Sequence, residues 1–206
     1  MTASNDLPET RLSLSVEAEA LDGFCLLTGG GFKIRIWTSE SVKEVLCGQL
    51  AIEPSYVENR IQTIFLDSTV VDDPNTAIVA AGSTIALSAA MPGVAGAMLR
   101  RGSHYSPMRS TISHDSQSEE STQRSEADMT LQLFNMLQQE LGPAFLKRGI
   151  RLSGRAFADL LRRRGDILRS AVLTAEIDSV AVDYSEVLDV NWKKRQIDLR
   201  VVAAEP

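Results

Sequence analysis

Apolar and polar positions along the chain change period several times, and each change predicts an element. Phe24-Cys-Leu-Leu-Thr28 and Phe32-Lys-Ile-Arg-Ile-Trp37 are strand-like runs on either side of Gly29-Gly30-Gly31. Phe32, Ile34 and Ile36 alternate with Lys33 and Arg35, so the pattern predicts a β-hairpin closed by a glycine turn. Ser41-Val-Lys-Glu44 has capping-box spacing and precedes Val42, Val45, Leu46 and Leu50, which share one helical face. After a turn at Glu53-Pro54, Val57 to Leu66 reads as a strand, Asp67-Ser68 as a turn and Thr69 to Val71 as a short strand. Asp72 to Asn75 reads as a loop, and Thr76 to Ala80 and Thr84 to Ser88 as extended.

A second pattern begins at Met129. Leu133, Phe134, Leu137 and Leu141 form a helical stripe expected to stop at Gly142-Pro143, while the alternation of Met129, Leu131 and Leu133 leaves a strand start open. Ala144 to Arg148 predicts a further helical turn and Gly149 to Leu152 a short strand. Ser153 is placed to cap a helix from Arg155 to Arg164 that ends at Gly165. Ala171 to Glu176, Ser179 to Asp183 and Gln196 to Val202 read as strands. The last puts Ile197, Leu199 and Val201 on one face and Gln196, Asp198 and Arg200 on the other.

Between the two patterns, Gly102 to Ser125 holds eight serines, both histidines and few aliphatic residues. Such a segment cannot offset its ordering entropy by burial, so 102–126 reads as a flexible linker between an α+β domain at 10–101 and a second at 127–206. Hydrophobic residues at 44% and charged residues at 23% of the 206 exclude global disorder. The first twenty residues carry Asp6, Glu9, Glu17 and Glu19 and no apolar core of a secretory signal, and glycines and Pro92 interrupt every apolar run well short of a membrane span. The expectation is a cytoplasmic protein with no membrane helix. Cys25 and Cys47 read as buried free thiols.

The net charge of −6 is unevenly spread: residues 1–96 carry 12 acidic and 5 basic side chains, residues 143–169 carry 8 basic and 2 acidic ones. Net acidity argues against general nucleic-acid binding and leaves room for a local basic face.

The order hairpin, helix, then several strands is that of a β-grasp. Phe65-Leu-Asp-Ser-Thr-Val-Val-Asp-Asp73, Val79-Ala-Ala-Gly-Ser-Thr-Ile-Ala-Leu87 and Ala90-Met-Pro-Gly-Val-Ala-Gly96 together resemble the end of the ubiquitin-like sulfur carriers, the molybdopterin-synthase small subunit and the thiamin-pathway carrier. The resemblance covers residues 22–96 and implies a mixed sheet crossed by one helix. It implies no intact active terminus, because carriers end in Gly-Gly whereas Gly93 and Gly96 are separated here and followed by Ala97-Met-Leu-Arg-Arg101.

Two groups of residues are candidates for ligand binding. Gly93 and Gly96 can bring backbone amides close to an anion, with Arg100 and Arg101 supplying charge, or can form an apolar turn that leaves the sheet. Arg162, Arg163 and Arg164 can complement the helix C-terminus, dock the acidic first domain of the same chain, or meet a nucleic-acid or nucleotide phosphate. No nucleophile elbow, phosphate loop or metal-ligand spacing occurs, so no catalytic residue, metal or cofactor is assigned. The expectation is a non-catalytic module with a protein partner. The alternatives are an accessory or carrier-like factor in sulfur transfer or cofactor assembly, and anion or nucleic-acid binding through the helix at 155–164.

Overall fold

The computed structural model describes residues 7–89 and 124–204, together with Gly93 and Gly96. Arg100, Arg101, His104, His114 and residues 102–123 of the expected linker lie outside the described residues. Along the chain come β1 (Glu9–Val16), α1 (Leu21–Cys25), a 3₁₀ turn (Leu26–Gly30), β2 (Phe32–Trp37), β3 (Glu40–Ser41) and a π-helical segment (Glu44–Gln49). Then follow α2 (Pro54–Asn59), β4 (Thr63–Leu66), β5 (Thr69–Val70), β6 (Ile78–Val79) and β7 (Thr84–Ser88). After the undescribed stretch come β8 (Glu126–Phe134), α3 (Met136–Arg148), β9 (Ile150–Ser153), α4 (Gly154–Arg169), β10 (Val172–Ile177), β11 (Val180–Val182), α5 (Tyr184–Asp189) and β12 (Gln196–Ala203). The class is α+β, in two compact units: Met1–Phe32 with Gln138–Pro206, and Lys33–Leu137.

In the first unit five strands are hydrogen-bonded in the order β11-β10-β1-β12-β9. β1 runs parallel to β12, from Glu9 beside Gln196 to Val16 beside Ala203, and antiparallel to β10. The pairing sets Leu12 beside Leu199 and Leu14 beside Val201, and all four side chains are buried. Ser13, Ser15 and Arg11 occupy the opposite face, giving the alternation of a sheet buried on one side. Phe24, Leu146, Phe157 and Trp192 belong to the same core. The Trp192 ring meets Phe157 edge-on at 5.3 Å, and its Nε1 donates to the Val187 carbonyl at 2.7 Å, so the indole is buried with its one donor satisfied.

In the second unit the order is β2-β8-β7-β4-β5. β7 and β8 are parallel, β4 is antiparallel to both β7 and β5. Thr38 bonds Ser125 while Arg35 reaches Asp128, so β2 and β8 run in opposite senses. Ile85, Leu87, Met129, Leu131 and Leu133 are buried on the central pair, and Val45 and Leu46 of the π-helical segment are buried too. The capping box is present: the Ser41 N–H and Oγ donate to Glu44 Oε2 at 2.8 and 2.7 Å, and the Glu44 N–H donates back to Ser41 Oγ at 3.2 Å.

The two units share one strand plan. Each has an outer strand that leads into a helical segment (β9 then α4; β2 then Glu44–Gln49), a central parallel pair, and a hairpin on the far side (β10 and β11; β4 and β5). The hairpins turn on Asp67-Ser68, at φ +49° and +69°, and on Asp178-Ser179, at φ +50° and +69°. Phe65-Leu-Asp-Ser-Thr-Val-Val-Asp72 and Glu176-Ile-Asp-Ser-Val-Ala-Val-Asp183 match at four of eight positions, so the sequence carries the repeat as well.

Several expected elements are corrected. Phe24 to Thr28 is helical: Phe24, Leu27 and Thr28 follow the i, i+3, i+4 spacing of a buried helical face, and Thr28 Oγ1 donates to the Cys25 carbonyl at 2.6 Å. The hairpin with Phe32 to Trp37 is therefore absent, and β2 follows Gly31 at φ +89°. The first half of the expected strand from Val57 is α2, because Glu53 accepts the Tyr56 N–H at 3.0 Å and Pro54 occupies the first turn. α3 continues through Gly142-Pro143 and α4 through Gly165, since both glycines answer packing rather than termination. A Cβ at Gly142 meets Cys25 Sγ at 3.0 Å, and one at Gly165 meets Leu188 Cδ2 at 3.3 Å. Beyond Gly165, Leu168 extends the buried stripe.

At Gly154 a Cβ lies 1.9 Å from the Trp192 carbonyl oxygen and 2.7 Å from that of Arg195, and its N–H donates to Arg195 at 3.0 Å. Gly154→Ala is expected to lower unfolding free energy by about 3 kcal/mol, whereas Gly48→Ala, with open space around its Cβ, costs nothing measurable; urea unfolding of both checks this. The Ser41 backbone and side-chain hydrogen bonds hold the Glu44 carboxyl below its ordinary value of 4.5. The stabilisation it contributes is complete above pH 4.5 and lost as pH falls through the lowered value. Glu44→Gln is therefore expected to flatten the acid limb of a stability-against-pH curve, and an unchanged limb contradicts the role given to the box.

Candidate functional site

Ser153 and Gly154 set how α4 enters the first unit. Ser153 Oγ accepts the Arg155 N–H at 3.2 Å, and Gly154 holds the helix start against the Trp192–Lys194 turn. Phe157, Leu160, Gly165 and Leu168 then face the core. The adjoining flank of the helix, with Ala156, Asp159, Arg163 and Arg164, forms one wall of a groove of about 470 Å³, and Leu26, Leu27 and Gly30 form the other.

The lining is apolar at its base and basic along one side. Leu27 is buried, but Leu26 leaves 46% of its surface exposed, as the 3₁₀ turn points neighbouring side chains in different directions. Asp159 is engaged by Arg162, whose Nη2 lies 3.2 Å from its Oδ1. Arg163 and Arg164 are exposed and, among the described residues, have no ion-pair partner. Of the three candidate arginines on this helix, Arg163 and Arg164 thus line the groove, and Arg162 pairs with its acid, Asp159. Gly93, exposed at φ +74°, and Gly96, buried, belong to the second unit and do not line it. Leu26, Leu27 and Gly30 escaped sequence reading because a strand was expected there; the i, i+3, i+4 spacing is the signal that finds them.

Among the described residues, those lining the groove supply no acid, base or nucleophile free to act. Cys25 is buried, and burial, reinforced by the Asp22 charge, pushes its thiol up to about 11, so it stays protonated near neutrality. Cys47 is half-buried rather than fully buried, and desolvation raises its thiol as well. Among the described residues no three His, Cys, Asp or Glu side chains gather into a metal site.

A second depression, in the other unit, holds Lys43, Cys47, Gln49 and Arg124. Its polar groups are already committed: Arg124 donates to Glu40 at 2.7 Å and lies over the Trp37 ring, 5.2 Å from its centroid. Gln49 pairs with both backbone groups of Trp37, at 2.7 and 2.9 Å, while Lys43 lies 3.7 Å from Glu58. These contacts tie the end of β2 to the π-helical segment, which is a structural role.

No family model, curated protein or solved structure matches this chain. Among the described residues no helix is long and apolar enough to cross a membrane.

Proposed function

We propose that this chain is a cytoplasmic, non-catalytic protein-binding module and that the groove beside α4 is its docking site. The observation that carries the reading is the exposed Leu26 in the same groove as two guanidinium groups that have no ion-pair partner among the described residues. Covering the exposed half of a leucine is worth about 1 kcal/mol, and charge-assisted hydrogen bonds to arginine add to it. The complementary ligand is a polypeptide segment presenting an aliphatic side chain beside carboxylates. Nucleic acid fits less well, because among the described residues no aromatic side chain lines the groove for stacking and the chain's net charge is −6. Two free cysteines suit a reducing compartment.

A β-grasp reading of the second unit accords with this function. Its support is the strand order β2-β8-β7-β4-β5 around a parallel pair, with β8, late in the chain, in the place of a β-grasp's opening strand. On that reading a sulfur carrier's chain ends just past β7. Here β8 follows and lies parallel beside β7, so a carboxylate at Gly96 requires a cut between two paired strands. An accessory role in sulfur transfer is compatible with binding and needs no such cut.

A fluorescent peptide with one leucine flanked by glutamates is expected to bind with a Kd of about 10–100 μM, weakened at least tenfold by Arg163→Glu/Arg164→Glu. Both arginines are exposed, so the double variant keeps its unfolding free energy within about 0.5 kcal/mol. Peptide that ignores the substitutions, or a mobility shift of single-stranded nucleic acid that depends on them, contradicts the reading. Intact mass spectrometry of protein from its native source is expected to show the full-length chain alone; a thiocarboxylated fragment ending at Gly96 establishes the carrier alternative instead.

A further inference from the structure

The first unit's core face is left partly open at its β11 edge, and the open part is the chemical complement of the groove. β11 closes one end of the strand order and pairs only with β10. Their register sets Ile177 beside Val180 and Ala175 beside Val182, so Leu173, Ile177 and Val180 lie on the side of the sheet where Leu12 and Leu14 are buried; Ala175 between them is covered. Leu173 and Val180 leave 52% and 63% of their surfaces exposed.

The rim of this face is acidic. Asp183 and Glu186 form the capping box of α5 beside it, while Asp178, at the hairpin turn, accepts the Arg11 backbone N–H at 2.8 Å and lies in a depression with Arg11 and Asp198 on the other side of the sheet. Those donors are neutral backbone groups, and among the described residues none of the three carboxylates has an ion-pair partner.

From this we propose that the segment received by the groove is the β10–β11 hairpin of a second copy of this chain. Val180 covers Leu26, and the Asp183 and Glu186 carboxylates beside the hairpin meet Arg163 and Arg164. The inference rests on the reading of the groove as a docking site and names its occupant. A hairpin-against-hairpin contact brings like charges together, whereas hairpin against groove pairs opposite ones. Because the two surfaces differ, the contact is head-to-tail: each copy offers one of each, and assembly continues past the dimer or closes into a ring.

Sedimentation of the full chain tests this. At about 100 μM in low salt the average mass is expected to exceed the 22.5 kDa of one chain and to fall back as salt rises. Arg163→Glu/Arg164→Glu and Val180→Lys each alter an exposed surface, and each variant alone is expected to sediment as a single chain. Mixed together they are expected to associate again, but only as pairs, since the unaltered groove of one variant meets the unaltered hairpin of the other. A wild-type chain that stays at single-chain mass while the leucine–glutamate peptide still binds overturns self-docking and leaves the groove reading standing. If neither occurs, both fall. Association that survives both variants overturns the proposed interface.

Discussion

The pairing of β1 with β12 is the contact on which the first unit depends. Eight residues near one end of the chain lie parallel to eight near the other, and the pair stands at the centre of the strand order. Until that register forms, Leu12, Leu14, Leu199 and Val201 have no common face to bury, and the helices have nothing to cover. The 3₁₀ turn after α1 and the flank of α4 form the two walls of the groove, so the site exists only after a contact between residues nearly the full chain apart. Such non-local closure is slow to form and gives its stabilisation late. It also places the groove on elements anchored by core packing rather than on a loose loop.

Local chemistry was legible where it is decided locally. The capping box at Ser41 and Glu44, the cap at Ser153, the Asp67-Ser68 turn and the alternation in β2 and β12 all follow from a few adjacent residues. What failed was the reading of glycine. Gly142 and Gly165 look like helix ends, yet a partner element close by makes a side chain unaffordable there, and that partner is remote in sequence. Gly29 to Gly31 likewise resemble a hairpin turn, while Phe24, Leu27 and Thr28 satisfy a helical face. β1 was missed because Ser13 and Ser15 dilute an alternation whose other side is buried only through distant strands.

The basic side of the site was visible in Arg162, Arg163 and Arg164, but its apolar wall was not, because Leu26 acquires its role from the 3₁₀ turn. The internal repeat was also present in the sequence, in two Asp-Ser hairpins with matching left-handed turns. Its consequence is that one strand plan serves two units with different surfaces. In the second unit the groups around the depression are bonded to one another, whereas in the first, among the described residues, Arg163 and Arg164 of the groove have no ion-pair partner.

The central claim is that the groove beside α4 receives an aliphatic, acidic polypeptide segment. Amide chemical-shift mapping with the leucine–glutamate peptide tests it most directly. The account predicts that the shifts concentrate at Leu26, Leu27, Gly30, Ala156, Arg163 and Arg164. Shifts confined to other residues, or none at millimolar peptide, contradict it.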